Sequence, residues 1–253
     1  MEMNDLADIS ILEHASQSMP LFPLGRTVLL PHTVLPLHVF EPRYVQLIRH
    51  IEKGHKLFAI PRLKDASLCT EEELKQEHPP IHNIAGIAKI MQIQELPQDR
   101  FNIWTLGVAT MYIEEEIPIR HLPVEQDDIF LYRRARGRIC FPSFEGDMQT
   151  NDYKQENCNI PPTLEMDIAE GKEQLLLTKH LLMQVSQQCP QMSEEVSKLL
   201  EPSVADDCVL NIIAHLFIKS TSQKQMFLEE MNLGKRAQEL NKILANIVIN
   251  CNE

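Results

Sequence analysis

The stretch LFPLGRTVLLPHTVLPLHVFEPRY, residues 21–44, is the most hydrophobic part of the N-terminal half and yet holds four prolines. Pro23, Pro31 and Pro36 divide it into short extended pieces. Proline is confined to strand starts and sheet edges, so this spacing is typical of short strands that turn around a small barrel. Pro42 suits the first position of a helix. The stretch therefore predicts short strands that lead directly into a helix.

The predicted helix begins at Pro42 and ends before Gly54, a common residue after the last helical turn. Its apolar side chains recur at helical spacing, at Tyr44, Leu47, Ile48 and Ile51. Glu41 lies near the positive end of the helix dipole, where a carboxylate is stabilised. Arg43 lies in the same first turn, which disfavours a cation. We therefore expect Arg43 to have a specific carboxylate partner.

The rest of the chain separates into a β-rich half and a helical half, which predicts an α+β fold. Apolar runs at residues 56–61, 84–93 and 101–113 read as strands, the last two joined as a hairpin. Helical periodicity dominates after Pro162. In chain order we predict a flexible tail at 1–19, a β-rich subdomain at 20–132, a long connection at 133–165 and an α-helical subdomain at 166–250.

Composition indicates a protein with a real core and no general affinity for polyanions. Of the 253 residues 43% are hydrophobic, and the formal net charge is −12. That charge repels nucleic acid phosphates and anionic membranes. The start MEMNDLADIS has no basic or apolar signal region, and no apolar run is long enough to span a bilayer. Six widely spaced cysteines indicate reduced thiols, so we expect a cytoplasmic protein.

No catalytic constellation is recognisable in the sequence. The patterns GxxxxGK[ST], HExxH and GxSxG, which mark phosphate loops, zinc hydrolases and nucleophile elbows, do not occur. We therefore assign no catalytic residue, no cofactor and no metal. Cys69, His78 and His82 are the best candidate metal ligands. Two prolines separate the histidines, so these do not share a helical face, and an ordinary exposed loop is the favoured interpretation.

Two features are candidates for partner binding. The cluster of Arg133, Arg134, Arg136 and Arg138 could bind an anion or an acidic partner, since guanidinium pairs well with carboxylate and phosphate. The favoured alternative is a solvated surface run that balances Glu114, Glu115 and Glu116. Trp104 could anchor a peptide in a groove. A lone tryptophan in a β-rich half is more often part of the core, and burial is the favoured interpretation.

The opening stretch, especially LPLHVFEPRY, resembles the start of the Lon protease N-terminal domain family, in its stand-alone bacterial form. KLFAIP, IAGIAKIMQIQELPQDR, FNIWTLGVATMYIEE and the closing helical segment resemble the family in the same order, over about residues 20–248. The fold-signature residues are Pro36, Leu37, Phe40, Glu41, Pro42, Arg43 and Tyr44. The resemblance implies an N-terminal PUA-like pseudo-barrel of antiparallel strands with one short helix, followed by a C-terminal α-helical bundle.

The resemblance also implies a function without catalysis. In full-length Lon the corresponding unit recognises substrates, whereas separate modules hydrolyse ATP and cut peptides. This chain ends where those modules would begin, so we expect no ATPase and no Ser–Lys peptidase. The favoured hypothesis is an ATP-independent module of protein quality control that binds polypeptide clients, or an adaptor for a protease or chaperone. The alternative is a regulatory protein that binds a ligand or RNA in the PUA-like pocket.

Overall fold

The computed structural model describes residues 9–65, 67, 69, 78–118, 131–144, 166–188 and 190–250. These residues form two compact units, divided between Ile139 and Cys140. We call them the sheet unit and the helical unit. The boundary lies inside the segment that the sequence predicts to be a connection.

The sheet unit is built from antiparallel strands and two helices. Its elements are α1 (Ile9–Ser16), β1 (Met19–Pro20), β2 (Val34–Val39), α2 (Pro42–Glu52), β3 (Leu57–Ile60), β4 (Ile84–Leu96), β5 (Arg100–Ile117) and β6 (Arg134–Cys140). In the described residues the strand order is β1-β6-β5-β4-β3, and β2 pairs with β5 outside this path. The sequence prediction of an α+β protein with an antiparallel sheet is confirmed.

The two ends of this strand path are joined by the chain that follows β1. Phe22 donates its backbone N–H to the carbonyl of Ala59 in β3 at 2.8 Å, and Leu24 donates to Pro61 at 3.0 Å. Leu63 donates in return to the carbonyl of Leu24 at 2.9 Å. The sheet is therefore strongly curled, as expected where both faces of its strands are apolar.

The opening stretch crosses the sheet at two glycines. A Cβ atom on Gly86 of β4 would lie 2.1 Å from the carbonyl oxygen of Leu29, and one on Gly107 of β5 would lie 2.2 Å from that of Leu30. Any other residue at either position would collide with this backbone. Gly107 also donates its N–H to the carbonyl of Thr33 at 2.9 Å. These contacts hold the chain just before β2 against the sheet.

Helix α2 follows the sequence prediction closely. It begins with Pro42 at its first position, and Lys53 ends it immediately before Gly54. Arg43 pairs with the carboxylate of Glu41 at 2.7 Å, so the expected carboxylate partner of Arg43 exists. Tyr44 is buried and stacks on Phe22 with 3.9 Å between ring centroids. Burial is also the main cause of the raised pKa of the Tyr44 phenol.

Two sequence expectations need correction. Residues 9–16, predicted as part of a flexible tail, form α1, and Leu12 of this helix lies in a core cluster. Residues 134–140, predicted as part of the long connection, form β6. The alternation of arginine with Ala135, Gly137 and Ile139 has the two-residue period of a half-buried strand, and the three small or apolar residues are buried. Residues 1–8 and 145–165 lie outside the described part of the chain.

The helical unit continues the α-helical pattern of the second half. Its elements are α3 (Ile168–Gln188), a 3₁₀ turn (Pro190–Met192), α4 (Ser193–Leu199), α5 (Asp206–Phe217), α6 (Thr221–Glu229) and α7 (Leu233–Asn250). Helix α7 packs against α3 and α5 within this unit. No helix in the described ranges combines the length and the apolar character that crossing a bilayer requires.

One arginine is fully buried in this unit. Arg236 donates to the backbone carbonyls of Glu230 at 2.6 Å and Leu228 at 3.2 Å, where α6 ends. Its guanidinium also lies over the ring of Phe227, 5.0 Å from the centroid. Burial lowers the pKa of Arg236 to about 10, so the group stays charged at physiological pH. The arginine binds the carbonyls left free at a helix C-terminus, where a cation is favoured.

Candidate functional site

Trp104 lies on an outward surface of the sheet unit. In the registers of β2, β5 and β4, Pro36, Trp104 and Gln92 are opposite one another, and so are His38, Asn102 and Gln94. Opposite residues share a sheet face, with Cβ atoms about 5 Å apart. Val34 and Phe40 continue this face along β2, and Met91 is the extra residue of a bulge in β4. We call the surface of Val34, Pro36, His38, Phe40, Met91, Gln92, Gln94, Asn102 and Trp104 the Trp104 face.

Large apolar side chains are exposed on this face. Phe40 is 62% exposed, Val34 54%, Met91 49% and Trp104 37%. The interpretation of Trp104 as a core residue is therefore wrong, since the indole is held on the surface by the outward position of residue 104 in β5. The neighbours Ile103 and Thr105 point inward and are completely buried. Several exposed apolar residues on one face are typical of a binding surface.

A polar row borders the apolar residues. The His38 ring nitrogen Nδ1 lies 2.8 Å from the Asn102 side-chain oxygen, and the Asn102 amide donates to Gln94 Oε1 at 3.3 Å. None of the nine members of the Trp104 face is a carboxylate, lysine or arginine, and one lysine borders it, since Lys89 lies opposite Leu106 and Leu106 lies opposite Val34. In a chain of net charge −12, such a surface is suited to uncharged polypeptide and gives no attraction to polyanions.

The arginine cluster has a different environment. Arg133 forms a two-pronged pair with Glu116, at 2.7 Å and 2.5 Å, and donates to the carbonyl of Pro79 at 2.9 Å. Arg138 lies 2.5 Å from Glu114, and Arg136 lies 3.8 Å from Glu115. Arg134 donates to the hydroxyl of Ser18. Three of the four arginines thus pair with the three glutamates that the favoured alternative named, and this pairing gives no support to an anion-binding role.

Two other features have some of the properties of a site. A shallow depression of about 320 Å³ is lined by Pro80, Ile81, Asn83, Ile113 and the glutamates at 114–116, which already pair with arginine. Among the described residues no three His, Cys, Asp or Glu side chains are placed to share a metal ion. Cys69 donates to the carbonyl of Asp65. Neither feature brings together groups with an evident chemistry.

A third candidate is the basic end of α5. Lys219 donates to the carbonyl of Leu216 at 2.8 Å, and Lys224 donates to that of His215 at 3.2 Å. Burial and the mutual repulsion of these cations lower the pKa of His215 and of Lys224. Both lysines thus bind carbonyls at the C-terminus of a helix, which is a structural role.

The fold-signature residues divide between core and surface. Leu37 is half-buried against the core, Tyr44 is buried, and Glu41 with Arg43 forms the ion pair at the start of α2. Pro36 and Phe40 lie on the Trp104 face. The sequence reasoning did not assign Val34, His38, Met91, Gln92, Gln94 or Asn102 to a surface. A two-residue alternation along β2 was the signal that could have identified the exposed members of that strand.

The chain matches one family over most of its length. The model of the ATP-dependent protease La (LON) substrate-binding domain matches residues 18–246. Curated relatives are the Lon proteases of Rickettsia conorii, 22% identical over 242 residues, and Heliobacterium modesticaldum, 24% identical over 243. The matches cover 92% and 95% of this chain but only 26% and 25% of the relatives. This chain therefore spans about a quarter of their length.

Solved structures have the same fold. The N-terminal domain of a Lon protease from the Mycobacterium avium complex matches with a TM-score of 0.57 at 15% identity, over 90% of this chain and 98% of that one. A Lon N-terminal domain protein from Xanthomonas campestris matches with a TM-score of 0.51 at 17% identity, over 88% and 96%. The curled antiparallel sheet, the helices after it and the match over residues 18–246 together show that the chain belongs to the LON substrate-binding domain family.

Proposed function

We propose that this protein is a non-catalytic module that binds polypeptide clients through the Trp104 face. Its family is one of substrate-recognition domains, and no catalytic activity belongs to the domain that matches. The observation that carries the proposal is the exposure of Val34, Phe40, Met91 and Trp104 on one sheet surface. Apolar anchors with a polar rim are the usual composition of a protein-binding surface.

The proposal includes the setting in which binding occurs. The client is an exposed apolar segment of an unfolded protein, which the module holds in the cytoplasm without ATP hydrolysis. It acts in protein quality control, either by holding clients or as an adaptor that passes them to a protease or chaperone. The hydrogen bonds from residues 22 and 24 to residues 59 and 61 support a PUA-like pseudo-barrel as the rigid support for this surface, followed by a C-terminal helical bundle.

Capture of a permanently unfolded protein tests the proposal. Reduced, carboxymethylated α-lactalbumin is labelled with a fluorophore, and its binding to the full chain is measured by anisotropy. We expect binding by the wild type and at least about tenfold weaker binding by Trp104→Ala, because aromatic anchors typically contribute about 2 kcal/mol or more. Native α-lactalbumin, which has its apolar segments buried, is the matched ligand control.

A variant in the other unit, outside the nine residues of the Trp104 face, controls for general effects. Leu176→Ala removes an exposed apolar side chain from α3 of the helical unit, and Leu176 is 66% exposed. We expect this variant to bind like the wild type. If Trp104→Ala binds the unfolded protein as tightly as Leu176→Ala does, the Trp104 face is not the client-binding surface. Hydrolysis of ATP or casein by the pure protein would contradict the non-catalytic assignment.

A further inference from the structure

The outer edge of β2 has backbone groups that no strand in the described residues uses. In antiparallel pairing, the residues of a strand direct their N–H and C=O alternately to one neighbour and to the other. The carbonyl of Thr33 accepts from Gly107 of β5 at 2.9 Å, so the odd-numbered residues that follow face β5. Val34, Pro36 and His38 then direct their backbone groups away from β5. In the described residues β2 pairs with β5 alone.

Pro36 fits this assignment. A proline has no N–H to donate, so within a sheet it is tolerated where its nitrogen faces away from the neighbouring strand. The outer edge of β2 therefore offers the N–H groups of Val34 and His38 and the carbonyls of all three outward residues. Of the three outward residues, Pro36 is the one that has no N–H to donate.

The same three residues also belong to the Trp104 face. Their side chains are exposed, while Leu35 and Leu37 on the opposite side of β2 are only partly buried. An additional strand beside β2 would cover apolar side chains on both faces. The strand VLPLHV contains no carboxylate, lysine or arginine, so it lacks the charge with which edge strands commonly prevent pairing.

We propose that the outer edge of β2 accepts an extended, uncharged client segment as an added β-strand. This mode of binding rests on the proposed function and specifies it. Val34 and His38 supply the donors, and the carbonyls at 34, 36 and 38 supply the acceptors. Client side chains that alternate with a two-residue period lie beside Val34 and Pro36 on the Trp104 face. Binding of this kind depends on backbone hydrogen bonds and on the alternation of apolar side chains, so many client sequences can bind.

A second copy of this chain is a poorer occupant of the edge. Two β2 strands related by a twofold axis near their centres would place Pro36 opposite Pro36 of the other copy. That pair of residues has no donor at all, so the centre of the interface would leave carbonyls unpaired. A client segment with a complete set of N–H groups avoids this cost.

Peptides with methylated backbone nitrogens test the proposal. The probe is a fluorescein-labelled peptide of alternating valine and threonine with an amidated C-terminus. One analogue is N-methylated at every valine and a second at every threonine, so that each lacks the donors of one edge only. We expect one analogue to bind the full chain at least about tenfold more weakly and the other to bind within about twofold of the parent.

Variants of β2 provide an independent test, because adding an outward N–H should strengthen peptide binding and removing one should weaken it. Pro36→Thr adds an outward N–H, and we expect it to bind the parent peptide about three- to tenfold more tightly. Val34→Pro removes an outward N–H, and we expect it to bind about three- to tenfold more weakly than Val34→Thr, which also replaces the valine side chain but keeps the donor. Melting temperatures of the variants show that each is folded.

The outcomes separate the binding mode from the binding function. If Trp104→Ala loses the unfolded protein but both methylated peptides and both proline variants behave alike, the client-binding function stands and strand addition is overturned. If neither the unfolded protein nor the peptide binds, both proposals fail. If the wild type sediments as a dimer that Val34→Pro dissociates, the edge is occupied by a second copy, which also overturns the proposal.

Discussion

The Trp104 face and the cluster of Arg133, Arg136 and Arg138, which we call the arginine row, are two surfaces of the same sheet unit. Their side chains have opposite environments. Arg133, Arg136 and Arg138 pair with the three glutamates at the end of β5. The Trp104 face holds exposed apolar side chains beside a strand edge without a partner in the described residues. The charge cluster is thus paired within the chain, whereas the surface that we propose for client binding exposes apolar side chains.

The largest effect on the stability of the sheet unit is expected from Gly107→Ala. The added Cβ would lie 2.2 Å from the carbonyl of Leu30, so the chain that leads into β2 must move. We expect a loss of about 3 kcal/mol or more in the free energy of unfolding, measured by urea denaturation, together with weaker client binding. Gly54→Ala is the control, because its Cβ would lie 3.8 Å from the carbonyl oxygen of Ile51, an ordinary contact, and its change should stay within about 0.5 kcal/mol. Equal stability of the two variants would show that the crossing is not close.

Arg133→Ala is expected to have the next largest effect, on stability alone. Only 10% of the Arg133 side chain is exposed, and its removal leaves Glu116 without its partner. We expect a loss of about 2 kcal/mol, measured as before, with client binding unchanged. Arg136→Ala, at a pair 3.8 Å long and more than half exposed, should cost less than about 0.5 kcal/mol. Weaker client binding by Arg133→Ala would assign the arginine row to the binding surface.

A smaller effect is expected from Arg43→Ala. The side chains of Arg43 and Glu41 are 48% and 43% exposed, so solvent screens their ion pair. The guanidinium also lies 4.6 Å from the centroid of the Tyr44 ring. Together these contacts should contribute less than about 1 kcal/mol, seen as a small drop in melting temperature. A loss as large as that of Arg133→Ala would mean that the start of α2 depends on this pair.

The smallest effect is expected from salt. Because the Trp104 face carries no carboxylate, lysine or arginine, client binding should change by less than about twofold between about 50 mM and 500 mM NaCl. Binding through the arginine row to a polyanion would instead fall by orders of magnitude over that range. Titrations with the unfolded protein at the two salt concentrations make the measurement. A steep decline of client affinity with salt would show that the arginine row, and not the Trp104 face, binds the client.

The elements that sequence reasoning identified are those with a strong local signal. Pro42 and the spacing of Leu47, Ile48 and Ile51 predicted α2, and the apolar runs on either side of a polar turn predicted β4 and β5. Helix α1 and strand β6 were missed. Leu12 and the small residues of β6 are buried by distant parts of the chain, which no local window contains.

Trp104 shows why the candidate surface was harder to predict. The sequence around it is apolar on both sides, and composition alone assigns a lone tryptophan to the core. Its exposure depends on which face of β5 points outward next to β2, and this is decided by a register between strands about 70 residues apart. A shift of one residue in that register would exchange Trp104 with the buried Ile103.

By itself, the sequence determined the α+β class, the order of the main strands and helices, and the family resemblance. These features depend on local periodicity and on proline and glycine. The tertiary structure alone decided the crossing of residues 29–31 over Gly86 and Gly107, the exposure of Trp104 and the position of β2 at an edge that no other strand of the described residues pairs with. The physical reason is that burial and strand register arise from pairing between distant segments, and a single residue of register determines which side chains face solvent.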